Sequence, residues 1–312
     1  MIVKKNFNPL KVLTYVWPSL VWSLGVAGMV YLAYEGLDWK KLSVPFPVVG
    51  ILGTALAIFL GFRNTSSYGR WWEARQIWGQ IVAASRIWAR LVFTFADSHR
   101  HQENYDERRS ADFKQSLIYK QIAWANALRL QLRGQDDWDE IRPFLSENEF
   151  QLLLQKQNKA VYLHKMMGQE IYTAMANGTL GGFDSFQLEG QLAALAQYQS
   201  GAERIKHTPV PRQYDYFTRV FLYVFLFFFP LGVVVPLAQS GLSLGLFPIT
   251  LLVAFVFAAI ERTGAVNEDP FENKIQDVPL SALCKGIERD LKEILEESPL
   301  PALPQAVRGY IF

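Results

Sequence analysis

The fold is decided by residues 50–90, which read GILGTALAIFLGFRNTSSYGRWWEARQIWGQIVAASRIWAR. The apolar run from Leu42 to Phe62 carries no charge. Its length matches the ~20 residues that a helix needs to cross a bilayer. Small residues recur in it at Gly50, Gly53, Ala55, Ala57 and Gly61. Because small residues let membrane helices approach closely, we predict a span that packs against its neighbours or against copies of itself.

One row of side chains on this span stands out by its spacing. Thr54, Ile58 and Phe62 are four residues apart, so they lie above one another on one helix face. Such a stripe in a membrane span is usually a packing surface. The spacing alone therefore leaves open whether the row packs or lines a path.

Two other apolar regions supply the remaining spans. Residues 12–34 follow a short basic start, and we interpret them as a retained span rather than a signal peptide. Residues 220–260, about forty without an ionisable side chain, are twice the length of one crossing and contain a turn signal at Gln239-Ser240-Gly241. We predict four spans, near residues 17–34, 44–62, 217–237 and 246–261.

The distribution of cations predicts the orientation. Four spans place both ends of the chain and residues 63–216 on the same side of the membrane. Lys40 and Lys41 are the cations of the opposite loops, whereas the shared side carries Lys4, Lys5, Lys11, Arg63, Arg70, Arg75, Arg86, Arg90, Arg219 and Arg262. The excess of cations predicts that this side is cytosolic.

The polar segments, residues 63–216 and 262–312, are predicted to be mostly helical. Residues 71–95 carry one apolar stripe and are expected to extend the second span, whereas residues 99–112 are expected to form a loop. A capping box, Ser146 with Glu149, is expected to begin a long helix over residues 149–177. Further helices are predicted over residues 113–132, 186–205 and 281–297.

Composition excludes several functions. A hydrophobic content of 50% with a mean hydropathy of +0.07 indicates a protein that is part membrane and part soluble. A net charge of +2 without a basic stripe argues against nucleic acid, and the single Cys284 cannot form an intrachain disulfide. No known catalytic motif or metal-ligand spacing is found, and His164 is interpreted as a surface or interface residue. We therefore predict neither an enzyme nor a cofactor or metal site.

Apart from Arg219 and Glu261 at their ends, the predicted spans contain no Asp, Glu, Lys, Arg or His side chain. Carriers and proton relays usually place such residues inside the membrane. A water-filled path between apolar helices of several subunits fits this composition better, and rings of apolar side chains can gate such a path by dewetting.

The chain resembles the prokaryotic branch of the bestrophin family in motifs near both ends. These are residues 59–64 (FLGFRN), 67–75 (SYGRWWEAR), 78–79 (WG), 268–271 (EDPF), 277–280 (DVPL) and 287–291 (IERDL). The resemblance covers nearly the whole chain. It implies an all-α, four-span membrane protein that assembles as a homopentamer around one pore in the bacterial inner membrane.

The resemblance also implies roles for particular residues. Three residues of the second span form the neck of the pore in this family, and the matching positions are Thr54, Ile58 and Phe62. Thr54 departs from the usual apolar residue, and we expect its hydroxyl to make the neck easier to wet. The family's cytosolic constriction points to Leu180, although anchoring its loop is an equal alternative. Calcium-activated members have an acidic run after the Pro-Phe pair; here Lys274 interrupts it, so we predict no calcium requirement.

Together with the family resemblance, the sequence predicts an ion channel in which small monovalent ions cross an apolar neck. Chloride or another anion is the expected permeating ion. The alternatives are a sodium-type cation channel of the same fold and a membrane-anchored structural or regulatory protein whose spans merely pack. The expected partners are further copies of the chain, the lipid bilayer and the permeating ions. For the basic flank, Arg63 to Arg90, two interpretations stay open: contact with lipid head groups, or concentration of anions at a cytosolic vestibule.

Overall fold

The protein is described here from a computed structural model, which places all residues except 5–8, 99, 102 and 104; the side chains of residues 9–11 are also outside the described part. Lys5, Lys11 and His99, which entered the sequence predictions, therefore lack a described side chain. The structure is 76% helical. Its helices are α1 (Pro9–Tyr31), α2 (Phe46–Ala96), α3 (Glu107–Arg133), α4 (Glu147–Leu154), α5 (Lys159–Ala176), α6 (Gly182–His207), α7 (Arg212–Gln239), α8 (Leu246–Asn267) and α9 (Leu280–Ile294).

In the described part of the chain, four helical segments are long and apolar enough to cross a membrane. They are Val12–Gly36, which joins α1 to a π-helical turn, Phe46–Ala96, Arg212–Gln239 and Ser243–Asn267. The predicted fold class, all-α with four apolar spans, is confirmed. The boundaries at the bilayer faces stay predictions.

The chain divides into two compact units. We call residues 4–71 and 209–268 the membrane unit, and residues 1–3, 72–208 and 269–312 the polar unit. Helix α2 contributes its first half to the membrane unit and its second half to the polar unit.

The core of the membrane unit is built by close packing of α2 on α7. Leu56 and Leu60 of α2 are buried with Leu222 and Leu226 of α7. Glycine makes the approach possible, since a Cβ atom on Gly232 would lie 2.7 Å from Cγ2 of Val49.

The polar unit is organised around α3 and large buried side chains. Trp78, Trp88 and Trp124 are fully buried, and the indole Nε1 of Trp124 donates to the side-chain oxygen of Gln199 over 3.1 Å. The predicted stripe on residues 71–95 faces this core, and α2 runs without a break from the span into it, as predicted.

Local capping explains where several helices begin and end. The capping box of Ser146 and Glu149 is present, and Gly134 ends α3 with a left-handed backbone at φ 62°.

Two predicted elements were wrong in part. The single helix over residues 149–177 is two helices, α4 and α5, because the side chain of Asn158 accepts from the amide of Val161 over 3.0 Å and starts a new helix. The loop over residues 99–112 is shorter than predicted. Helix α3 already begins at Glu107, where Asp106 caps it by accepting from the amide of Arg109 over 3.0 Å.

Candidate functional site

The predicted neck residues share one uncovered face of α2. Ile58 is 54% exposed, Phe62 is 68% exposed, and Thr54 is also exposed. Leu56 and Leu60, which lie between them in sequence, are buried against α7. The structure therefore brings the three residues together on a surface that no described residue of the membrane unit covers.

The hydroxyl of Thr54 is already engaged within its own helix. Its Oγ1 donates to the carbonyl oxygen of Gly50 over 2.9 Å. The donor is thus used, while the oxygen keeps lone pairs that can accept from water. Thr54 is consequently less polar than a free hydroxyl but more easily wetted than an aliphatic side chain.

The exposed row continues along α2 at steps of three or four residues. It passes through Thr65, Gly69, Trp72, Gln76, Gln80, Ala83, Ile87, Arg90 and Thr94, all of them exposed. These positions offer amide and hydroxyl dipoles and one cation, Arg90, and none is a carboxylate. The row beyond Phe62 thus carries one positive and no negative side chain.

Arg63, directly after Phe62, points to the other side of the helix. Its side chain is 2% exposed and meets three carboxylates, one for each guanidinium nitrogen: Nε bonds Glu268 over 2.9 Å, Nη1 bonds Glu261 over 2.8 Å, and Nη2 bonds Asp215. Asp215 comes from α7, Glu261 from α8 and Glu268 from the end of α8. We call these four residues the Arg63 cluster.

The cluster decides the role of one cation of the basic flank. A buried guanidinium with three carboxylate partners neither touches lipid head groups nor faces a vestibule, so neither sequence interpretation applies to Arg63. Arg86 differs, because it is exposed and pairs with Asp290 over 2.6 Å. Arg90 keeps the vestibule interpretation open, since it lies on the exposed row.

Leu180 is placed differently from a pore-lining residue. It is 3% exposed within the subunit, and its amide donates to the carbonyl of Ala174 over 3.0 Å. This burial favours the interpretation of Leu180 as the anchor of its loop. Near this loop, at the start of α6, Phe183 and Phe186 are bulky side chains that stay uncovered, with exposures of 72% and 74%.

The segment after Pro270-Phe271 is held by internal contacts. Glu272 pairs with Lys206 over 2.6 Å, and Asp277 accepts from the amide of Lys274 over 3.0 Å. Asp277 is 2% exposed, and burial raises the pKa of its carboxyl. Within the described residues, no group of three or more His, Cys, Asp or Glu side chains could hold a metal ion.

His164, predicted to be a surface or interface residue, is half-buried in the subunit. Its ring packs edge-on against Trp124, with centroids 5.1 Å apart, and its Nε2 atom is buried without a hydrogen-bond partner in the described part of the chain. Burial lowers the pKa of His164 to about 4. The ring is therefore neutral in the folded protein at neutral pH.

The pH dependence of stability should report this burial. An unfolded histidine titrates near pH ~6.5, so between pH ~6.5 and about 4 the unfolded chain binds a proton that the folded chain excludes. The free energy of unfolding is unaffected above pH ~6.5 and should fall by up to ~3 kcal/mol as the pH drops to about 4. Melting of the detergent-solubilised protein against pH measures it. His164→Phe should flatten the dependence and His207→Phe, at an exposed site, should not; equal slopes would contradict the assignment.

The chain is similar to known proteins in both sequence and structure. The profile of the bacterial and fungal bestrophin proteins matches residues 7–293. A voltage-dependent anion channel-forming protein, YneE, of Salmonella typhi is 32% identical over 314 aligned positions, which cover 97% of this chain and 96% of the relative. YneE of Escherichia coli strain K12 is 32% identical over 270 positions, with 86% of this chain and 82% of the relative covered.

The structural comparison agrees with the sequence comparison. A crystal structure of a bacterial bestrophin homologue from Klebsiella pneumoniae superposes with a TM-score of 0.79 at 26% sequence identity. The match covers 90% of this chain and 98% of that one.

Proposed function

Because the chain belongs to the family of bacterial and fungal bestrophins, we propose that it is an ion channel in which five copies surround one central pore. The family and the similar proteins named above are channels, and the chain is accordingly not an enzyme. Small monovalent anions, chloride among them, cross the membrane passively through this pore. The bacterial inner membrane is its location, with both ends of the chain in the cytosol.

One observation carries this proposal. The apolar face of α2 with Ile58 and Phe62 is uncovered in the subunit, although large apolar side chains in a membrane protein normally meet either protein or lipid. Arranged around an axis, the same face of five helices would form stacked rings of isoleucine and phenylalanine. Rings of this kind act as a gate because water leaves a narrow apolar passage.

The small residues beside the row support close packing of the five α2 helices. Gly61 has open space where a Cβ would stand, so a neighbouring helix can approach its backbone. Ala57 is exposed on the same helix and adds a small side chain to this flank.

The preference for anions rests on charge. The exposed row beyond the neck has Arg90 and the amides of Gln76 and Gln80, without a carboxylate at its positions. The relatives from Salmonella typhi and Escherichia coli are named as anion channel-forming proteins. A sodium-type cation channel of the same fold is the second candidate, because the neck rings themselves carry no charge.

The third ring of the neck is formed by Thr54, and it is the weakest barrier of the three. Its oxygen can accept from water, so the dry zone shortens by about one helical turn, ~5 Å. At the cytosolic end, Leu180 could narrow the path only if its side chain left its buried site. Phe183 and Phe186 are exposed side chains that could do so without rearrangement.

Subunit number and current together test the proposal. Native mass spectrometry of the purified protein should give a pentamer, and the same preparation should conduct ions in planar bilayers. A monomer or dimer without current would instead favour a structural or regulatory membrane protein. Tyr172→Ser, an exposed change on α5 away from the row, is the control that should alter neither readout.

A further inference from the structure

A cavity of about 620 Å³ lies within the polar unit. Its walls come from the C-terminal half of α3, the 3-10 helix Trp138–Phe144, helix α9 and the tail that follows α9. This volume is in the range of small-molecule sites in proteins. The aromatic ring of Phe144 and the rings of Pro143 and Pro304 form an apolar part of the wall.

The charged part of the wall is richer in cations than in carboxylates. Lys285 and Lys292 share one carboxylate, that of Glu288, at 2.7 and 3.3 Å. Arg129, which is 5% exposed, pairs with Glu140. The lining thus has three cations and two carboxylates.

A fourth cation stands directly behind this wall. Nη1 of Arg133 donates to the hydroxyl oxygen of Ser281 over 2.6 Å, and Ser281 lines the cavity. Arg133 forms no ion pair with any residue that the structure describes; the buried carboxyl of Asp277 attracts its charge from a greater distance. Burial and the neighbouring Arg129 lower the pKa of Arg133 to about 10, still far above neutral pH.

The two arginines also have unused hydrogen-bond donors. The Nε atoms of Arg129 and Arg133 are both buried, and neither has a partner among the described residues. A buried donor without a partner costs free energy, typically ~1–3 kcal/mol. An anion with several oxygens would balance the surplus charge of the lining, and the guanidinium of Arg129, which lines the cavity, matches the geometry of phosphate oxygens.

We propose that this cavity binds a phosphate monoester whose organic part is apolar. The phosphate lies against Arg129, Ser281 and Lys285, and the organic part lies against Phe144 and the prolines. A dianionic group matches the excess of cations better than a single carboxylate does. The site belongs to the polar unit alone and does not depend on ion conduction.

Titration calorimetry with phenyl phosphate tests the site on the full-length protein in detergent. Phenyl phosphate should bind saturably and phenol should not, and raising the salt concentration should weaken binding. Lys285→Gln removes an accessible cation from the wall and should weaken binding about tenfold, the loss of one charged hydrogen bond. Lys165→Gln, an exposed change on α5 outside the cavity, should leave binding unchanged.

Three outcomes would overturn the proposal: no saturable binding of phenyl phosphate, equal binding of phenol, or equal effects of Lys285→Gln and Lys165→Gln. Arg133→Gln is a second variant with the same expected direction, to be compared at equal melting temperature. Protein in nanodiscs identifies the source of the phosphate. A lipid head group would compete with phenyl phosphate in nanodiscs that contain phosphatidic acid, whose phosphate is a monoester, and not in phosphatidylcholine ones, whereas a soluble ester would bind equally in both.

Discussion

Arg63→Gln should destabilise the folded subunit by ~3–5 kcal/mol, the range found when one partner of a buried ion pair is removed. The guanidinium is 2% exposed and satisfies one oxygen of each of three carboxylates, from Asp215, Glu261 and Glu268. Glutamine cannot neutralise them, and the ion pair between Arg219 and Asp215 compensates for only one of the three carboxylates. The melting temperature of the protein in detergent, or the yield of folded protein, measures the effect.

Arg86→Gln is the matched control on the same helix. Arg86 is exposed and has a single carboxylate partner, Asp290, and exposed pairs contribute ~0–1 kcal/mol. Arg63→Lys keeps the charge but loses the planar fork, so its melting temperature should lie between those of the wild type and Arg63→Gln. Equal melting shifts for Arg63→Gln and Arg86→Gln would show that the Arg63 cluster does not hold α2, α7 and α8 together.

Ile58→Ala should raise the open probability of the channel about tenfold. In the proposed pentamer five side chains change at once. If each substitution lowers the free energy of wetting the neck by ~0.3 kcal/mol, the five together change the open probability about tenfold. Because Ile58 is 54% exposed in the subunit, its truncation leaves little empty space in the core, and folding should be preserved. Single-channel recording measures the open probability.

Thr54→Ile is the opposite change on the same row. It replaces a residue that water can bond with an apolar one of similar branching, so the open probability should fall. Leu52→Ala, on the same helix but partly buried against the α2 and α7 core, serves as a control for general loosening of the span. If Ile58→Ala and Thr54→Ile both left conduction unchanged, the row would be packing surface rather than the pore neck.

Much of the fold follows from the hydropathy pattern alone. A charge-free run of about forty residues with a turn signal in its middle leaves few alternatives to a helical hairpin. The stripe on residues 71–95 predicted the buried face of α2 because its period is that of a helix, and Ser146 with Glu149 predicted a helix start because capping is local.

The errors have local causes that a periodic pattern hides. Residues 155–158, Gln-Lys-Gln-Asn, are compatible with a helix, and the break between α4 and α5 depends on the side chain of Asn158 competing for a backbone amide. Residues 107–112 lack an apolar stripe, although Asp106 carries the cap of α3. Capping residues were the available signal in both places.

The candidate site was harder to predict from the sequence than the fold. The shared face of Thr54, Ile58 and Phe62 could be predicted, because residues four apart on one helix lie on the same face. Arg63 was grouped with the flanking cations, since its three partners are separated from it by 152, 198 and 205 residues along the chain. The burial of Leu180 likewise depends on the packing of its loop, which its neighbours in sequence do not reveal.

The reversal potential of the purified protein in a planar bilayer, under a gradient of KCl, tests the central claim most directly. The proposed channel conducts, and its reversal potential lies close to the chloride equilibrium potential. A reversal potential close to that of potassium would contradict the proposed selectivity and support the cation channel. The absence of current from a preparation confirmed as pentameric would contradict the claim that the row on α2 lines an ion path.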